Sequence, residues 1–383
     1  MESEYDIVML VLNDLSFDGR VRREAAALAE CGWRVLVIGT QHADGTLADD
    51  EHLSGFRVHR VRYGRFGRSL SRPWRWLRHG LQAVQVVRAV SRVRTRVVHA
   101  HDLPALLLAV TARWGRRRKP RLIYDSHELY LFLPRNMSAI GAILDRLTRP
   151  AWFALERCCI RQADAVITVS EPIARCLARW YRIPRPYVIR NCIDPVPAAQ
   201  ERSPYLVHTG DLTNRGRCLT ELVEAFVRAP EEVGLVFLGE GEARDELEAR
   251  AEDLGIKSRV KFAPPVAPEA VPEAICDARV ALVLLRPDSW HIRATLPNKL
   301  FEAIAAGVPV VASGGFALRR MVERHRLGIV CDPDPDSIID AIQRLLQPEK
   351  QIEYRQAVST AQKDLNWRAE SERLRALYRE LLP

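Results

Sequence analysis

Short apolar runs alternate along this chain with longer stretches in which apolar positions recur every three to four residues. The runs read as buried parallel strands, and the stretches as amphipathic helices covering both faces of a sheet. Strands are expected in the first half at 5–12, 34–39, 56–62, 96–101, 121–126, 165–170 and 187–191. In the second half they are expected at 205–210, 234–239, 259–263, 279–285, 308–313 and 328–332. One helix is well marked from about Arg20 to Glu30, because Val21, Ala25 and Leu28 repeat at helical spacing and Cys31-Gly32 ends it. A second is expected over 72–92, with Trp74, Leu77, Leu81, Val84, Val87 and Val90 on one side and Arg72, Arg75, Arg78 and Arg88 flanking. The pattern describes an α/β chain of two Rossmann-like units, repeated in architecture and not in residues.

Charge locates the boundary between them. Residues 1–200 carry 32 Lys+Arg against 19 Asp+Glu, or +13, and residues 201–383 carry 25 against 29, or −4. The stretch "IDPVPAAQERSP" at 193–204 holds three prolines and no apolar periodicity, and reads as a linker. Domains are therefore expected at 1–192 and 205–360, with a C-terminal helix over 361–383 packing back on the first. With 48% hydrophobic and 27% charged residues, the chain is globular. Its apolar runs are too short to cross a bilayer and "MESEYD" is not a signal peptide, so a cytoplasmic protein is expected. Eight cysteines without a CxxC or a regular framework read as reduced, mostly buried thiols.

In open parallel sheets, ligands bind beyond the carboxyl ends of the strands, where helix N-termini present free N–H groups. The stretch "TLPNKLFEAIAAGVPVV" (295–311) lies at such a position. Pro297 opens a helix, Leu300, Phe301 and Ile304 form its buried stripe, and Gly307 stops it. An anion there would meet the backbone of Asn298 and Lys299 and the Lys299 ammonium, and Glu302 could accept two bonds from a sugar diol. The plainer alternative is a carboxylate that complements the helix dipole beside a solvated lysine. A second anion candidate is "HTGDLTNRGRCLTEL" (208–222), where Gly210 permits close backbone approach and the arginines suit diphosphate oxygens. Gly239-Glu240-Gly241 lacks a third glycine and precedes acids, so it is not a dinucleotide fingerprint.

Taken in order, "FLGEGE", "RVKF", "PNKLFEAIAAGVPVVAS" and "GIVCDPDPDSIIDAI" resemble the donor-binding domain of GT-B glycosyltransferases, in particular the retaining enzymes of glycosyltransferase family 4. "DGRVRREAAALAECGWRVLVI", "VVHAHDLPALLLA", "YDSHELY" and "AVITVSEPIARCL" are similar to that family's acceptor-side domain. The resemblance implies two Rossmann-like domains facing a cleft and a nucleotide-diphosphate sugar, a UDP-sugar first, as donor. It puts Glu302 on the ribose, Arg215 and Lys299 at the departing diphosphate, and His127 over the donor sugar. Gly19, Gly210, Asn298, Leu296 and His291 complete the implied donor site. The family's first glutamate is missing: Ala294 stands eight residues before Glu302, leaving His291, Arg293 and Asp288 as candidates to replace it. Asp211 also stands where the family has a basic group.

Cleavage of a sugar–diphosphate bond puts charge on phosphate, which positioned cations and helix N-termini can stabilise without a metal or cofactor. "DPDPD" (332–336) reads as a helix N-cap at Asp334 or Asp336, and His99, His101 and Asp102 as strand-end residues with no matching carboxylate or cysteine set. From Arg57 to His101 there are twelve arginines and no acidic residue, with Tyr63, Phe66, Trp74 and Trp76 interleaved. That tract suits an anionic membrane surface, so a peripheral position at the inner face of the membrane is the alternative to a free one. A solvated basic face is the plainer reading, and no nucleic-acid module accompanies the charge. The expected activity is retaining, hexosyltransferase-like transfer to a hydroxyl of a lipid-linked or soluble acceptor. A sugar-nucleotide epimerase or hydrolase, or a silent sugar-nucleotide sensor, are the alternatives.

Overall fold

The computed structural model describes residues 4–63, 72–133, 139–199 and 201–382, and leaves the side chains of 72–79 and 139–144 undescribed. Two compact units emerge: 1–131 with 135–189 and 371–383, and 132–134 with 190–370.

The first unit runs β1 (Glu4–Leu10), α1 (Gly19–Ala29), β2 (Val35–His42), β3 (Asp50–Leu53), β4 (Phe56–Tyr63), α2 (Arg72–Arg92), β5 (Arg94–His101), α3 (Asp102–Arg113), β6 (Arg121–Ser126), α4 (Ala139–Ile160), β7 (Ala165–Thr168), α5 (Glu171–Tyr181) and β8 (Tyr187–Val188). Its sheet has the order β3-β4-β2-β1-β5-β6-β7-β8. Every pairing is parallel except β3 with β4. β3 was not expected, because "DEHL" carries no apolar run; it is an antiparallel edge hairpin joined to β4 through Ser54-Gly55, both at positive φ. In α2 the expected stripe is rotated. Val86 and Val90 are buried, whereas Leu81 and Val84 are exposed. Phe66 and the Trp74 and Trp76 side chains lie outside the described residues.

The second unit runs β9 (Tyr205–Thr209), α6 (Leu219–Phe226), β10 (Gly234–Leu238), α7 (Arg244–Asp253), β11 (Val260–Ala263), α8 (Val271–Ile275), β12 (Val280–Leu284), α9 (Trp290–Ala294), α10 (Asn298–Ala305), β13 (Val310–Ser313), α11 (Phe316–His325), β14 (Gly328–Val330), α12 (Pro335–Leu346) and α13 (Pro348–Ala361). The sheet order is β11-β10-β9-β12-β13-β14, all parallel. Strand alternation splits its core into two layers. Leu206, Leu282 and Leu284 meet Leu222, Phe226 and Ile338 on one face. Val207, Ala281 and Val283 meet Leu300, Phe301 and Ile304 on the other. The final helix, α14 (Trp367–Leu381), sends Tyr378 to His99 and Arg375 to the carbonyl of Ala27 and to Glu30 in the first unit.

Strand order reverses between β1 and β5 in the first sheet and between β9 and β12 in the second. The crevices beyond those strand ends are where an open parallel sheet binds ligands.

Candidate active site

In the second unit, β9 ends on His208 and Thr209, and Gly210 then turns at φ +83°. A Cβ on Gly210 would stand 3.3 Å from the Lys299 Nζ, so this glycine leaves room for the lysine. The backbone of 210–212 is seated on Gly239 and Gly241, where added Cβ atoms would meet the Gly210 and Leu212 carbonyl oxygens at 2.1 and 2.2 Å. These two glycines serve close backbone packing, which explains a glycine pair without a dinucleotide fingerprint.

The helix α10 opens against this turn with Pro297 as N-cap, one residue earlier in role than expected. Lys299 is only 9% exposed; its ammonium donates to the Thr209 carbonyl and lies 2.9 Å from the His208 Nε2. Burial, reinforced by the charge of Arg217, brings Lys299 down to about 7, against the opposing pull of Glu302 and Asp211. One turn on, Glu302 accepts from the Thr209 hydroxyl at 2.7 Å. Asn298 is exposed at the helix mouth and accepts from Asn191 at 2.7 Å. The preceding segment contains α9, capped by the Ser289 hydroxyl accepting from the Ile292 N–H. This buries His291, Ala294 and Leu296.

The two arginines of the 211–217 loop part company at Gly216, whose φ is +65°. Arg215 pairs with Glu242 at 3.0 Å on the exposed side. Arg217 donates to the Asp211 carbonyl at 2.6 Å and carboxylate at 2.8 Å, and its charge is felt at both Lys299 and His208. Its backbone bridges to Leu285 at the end of β12. Arg217 was absent from the site that the family resemblance implied, which had only Arg215 of this pair. The available signal was its place just before the first turn of α6, with Asp211 as a counter-charge to hold it.

In the first unit, Asp18 caps α1 by accepting from the Val21 N–H at 3.1 Å, and Gly19 is the first helical residue. Arg20 and Glu24, one turn apart, point into the sheet. Arg20, 4% exposed, gives two hydrogen bonds to Asp125, at 2.8 and 3.0 Å, and a third to the Ile189 carbonyl at 2.9 Å. It also pairs with Glu24 at 3.0 Å. His99 and His101 arrive from β5 and Asp125 from β6, and their ring and carboxylate atoms lie with Glu24 within 4.8 Å of one another. The expected absence of carboxylates around these histidines is thus corrected. The acids come from α1 and β6, distant in sequence. Such groups can bind a metal, but Arg20 already stands as the cation between both carboxylates.

His127 follows β6 at the rim of this cluster. Asp102, at φ +65° where β5 gives way to α3, accepts from the His127 backbone N–H at 3.1 Å. The His127 Nε2 lies 3.3 Å from Asp125 and 3.1 Å from the His101 Nδ1; its Nδ1 lies 3.5 Å from Asp102. Burial works against the charged ring, but Asp102 and Asp125 outweigh it and raise His127 to about 10. Burial holds His99 down at about 3 and His101 well below its ordinary range, so both are neutral. Glu24, pushed up to about 8 mainly by burial, is mostly protonated at neutrality.

At the far edge, Asp334 caps α12 by accepting from the Ser337 N–H at 2.9 Å, as expected of "DPDPD".

Two doubly wound units, one ending in a basic helix mouth and the other in a histidine–carboxylate cluster, have the GT-B fold. Residues 20–196 match the family described as Glycosyltransferase Family 4, and 203–348 that described as Glycosyl transferases group 1; the chain belongs to this family. Among curated proteins, it is 34% identical over 140 residues to the D-inositol 3-phosphate glycosyltransferase of Acidothermus cellulolyticus, covering 36% of this chain and 30% of that one. The counterpart from Corynebacterium jeikeium is 30% identical over 145 residues, 37% of this chain and 33% of that one. These matches thus span about a third of each curated relative. Over whole chains, the fold is similar to sucrose-phosphate synthase from Thermosynechococcus elongatus, with a TM-score of 0.78, 20% identity and 99% of both chains covered. Anabaena HepE in complex with UDP-glucose gives a TM-score of 0.72 at 17% identity, covering 98% of this chain and 100% of that one. Among the described residues, no helix is long and apolar enough to cross a membrane.

Proposed function

We propose that this protein transfers a sugar from a nucleoside-diphosphate donor, with uridine as the base, to a hydroxyl acceptor, with retention and without a metal. The observation that carries the reading is the mouth of α10. There a buried lysine and a carboxylate, one helical turn apart, meet the glycine turn at the end of β9 with a guanidinium alongside. Glu302 accepts from the two ribose hydroxyls. Lys299 and Arg217 take the charge that builds on the diphosphate as the sugar leaves, with the N–H groups at Asn298 and Gly210 beside them. Arg215 is the second guanidinium of the loop and reaches the diphosphate only by leaving Glu242. Leu296 and His291 line the nucleotide-sugar side, and it is the family resemblance that assigns His127, with Gly19, to the sugar. Ala294 leaves the sugar hydroxyls without the family's first carboxylate, which favours the alternative of a binder without turnover. The deciding experiment is a panel of nucleotide sugars screened by melting temperature, followed by incubation of the hits with hydroxyl acceptors. Release of nucleoside diphosphate that depends on acceptor supports transfer; stabilisation by a donor without turnover across the acceptors supports the silent binder.

The acceptor side is read as meeting an anionic lipid surface. Leu81 and Val84 of α2, Trp114 after α3, and Leu147 and Trp152 of α4 are exposed, and α2 and α4 both pack on α3. Exposed Arg88, Arg117, Arg118, Lys119, Arg146 and Arg149 accompany them. Exposed apolar side chains on elements that also carry exposed arginines suit an anionic interface better than bulk water.

A further inference from the structure

Each ring nitrogen of His127 has a carboxylate as its nearest charged neighbour, Asp125 Oδ2 at Nε2 and Asp102 Oδ2 at Nδ1. A neutral imidazole keeps a lone pair on one nitrogen, which would here point at an anion. Only the imidazolium offers an N–H to both. His101 fits the same state, since its neutral Nδ1 lies 3.1 Å from the His127 Nε2 and can accept. The two sides differ in grip. Asp125 is fully buried and fixed by two bonds from Arg20, whereas the 3.5 Å from Nδ1 to Asp102 is outside hydrogen-bonding reach. The Nε2 side is therefore anchored, and the Nδ1 hydrogen is the one left to give away.

We propose that Asp125 and Asp102 are positioning residues that hold His127 doubly protonated throughout the working pH range. The ring then donates its Nδ1 hydrogen to the donor sugar and cannot act as a base. This rests on the reading that His127 meets the donor sugar. The other charged groups facing the ring are Arg20, which opposes its charge, and Glu24 and Glu128, whose carboxyls burial pushes up to about 8 and about 7. Arg20 acts at one remove, by fixing Asp125. The arrangement resembles the use of a buried carboxylate to set the state and orientation of a catalytic imidazole, with a second carboxylate that prevents its discharge.

The test reads the ring directly. In protein labelled with nitrogen-15 at histidine, the resonances of the two His127 nitrogens are assigned by their loss in His127→Gln and followed from pH 6 to 10 without substrate. Both nitrogens are expected to remain protonated at pH 8.5 in the wild type. In Asp125→Asn, and to a smaller extent in Asp102→Asn, the ring should lose a proton near neutrality. At saturating donor, the wild-type kcat should be level from pH 7 to 9, whereas in Asp125→Asn it should fall about tenfold per pH unit above the new midpoint. KM for the donor should stay within about twofold of wild type at each pH, a split that a merely structural role would not produce. A wild-type His127 that titrates between pH 6 and 7 overturns the proposal, as do variants that keep the wild-type titration and pH profile. Should Asp125→Asn fail to fold, the wild-type titration and Asp102→Asn still decide. Wild-type transfer by His127→Gln would instead remove the sugar-contact reading and leave the titration result standing.

Discussion

Nucleotide binding should weaken as pH rises through the neutral range, because of Lys299. Its ammonium sits in a buried pocket whose polar partners are a neutral histidine and one carbonyl, with Arg217 adding repulsion, and these hold it at about 7. Free lysine titrates near 10.4. In the absence of ligand, the amine is therefore mostly neutral above pH 7. A bound diphosphate favours the charged form and lifts the pKa, so binding above pH 7 takes up a proton, and affinity must fall as pH rises. The diphosphate itself changes little there, since phosphate loses its second proton near pH 6. With half the lysine charged at pH 7 and about one hundredth at pH 9, the Kd for UDP should rise roughly 50-fold over that interval, a little over 2 kcal/mol. Isothermal titration calorimetry in buffers of different ionisation enthalpy measures both the affinity and the proton count. Lys299→Met should bind more weakly at pH 7 and lose the pH dependence. A wild-type Kd constant within about twofold from pH 7 to 9, with no proton uptake, would mean that Lys299 does not titrate in this range.

Arg217→Ala should lower kcat/KM by roughly 10- to 150-fold, the loss of a charge-assisted contact of about 1.5–3 kcal/mol, while Arg215→Ala costs only a few-fold. Steady-state kinetics of the pair checks this, and the reverse order would restore Arg215 as the principal cation. Cosedimentation should find the protein on anionic vesicles and not on neutral ones, with binding lost as salt rises. Equally poor binding to both at low salt would point to a soluble acceptor and a solvated basic face.

What the sequence disclosed follows from which interactions are local. Strands of the two parallel sheets were legible because burial on both faces leaves an uninterrupted apolar run, as at "VALVLL". β3 escaped because a short edge strand is allowed to be charged. Lys299 and Glu302 were legible because a proline, two polar residues and a glycine stop write a helix mouth within a few positions. The choice between Arg215 and Arg217 was not, since it depends on the positive φ of Gly216, which turns one side chain towards Glu242 and the other towards Asp211. Nor was the cluster around His127, whose carboxylates arrive from α1, α3 and β6. Its only trace was that Arg20 and Glu24, one turn apart, stand directly beside Val21 and Ala25 at the edge of the buried stripe of α1.

On the proposed reading, the mouth of α10 holds a nucleoside diphosphate. Titration of UDP at pH 7 into the wild-type protein and Glu302→Ala decides this, because the Glu302 carboxylate, which accepts from the Thr209 hydroxyl in the free protein, is the group read as meeting the ribose. One site per chain is expected in the wild type, with binding roughly tenfold weaker or more in the variant and a ligand-free melting temperature lowered by no more than a few degrees, the cost of the lost Thr209 hydrogen bond. Equal affinity in both proteins, or no binding of UDP or any other nucleoside diphosphate at millimolar concentration, would contradict it.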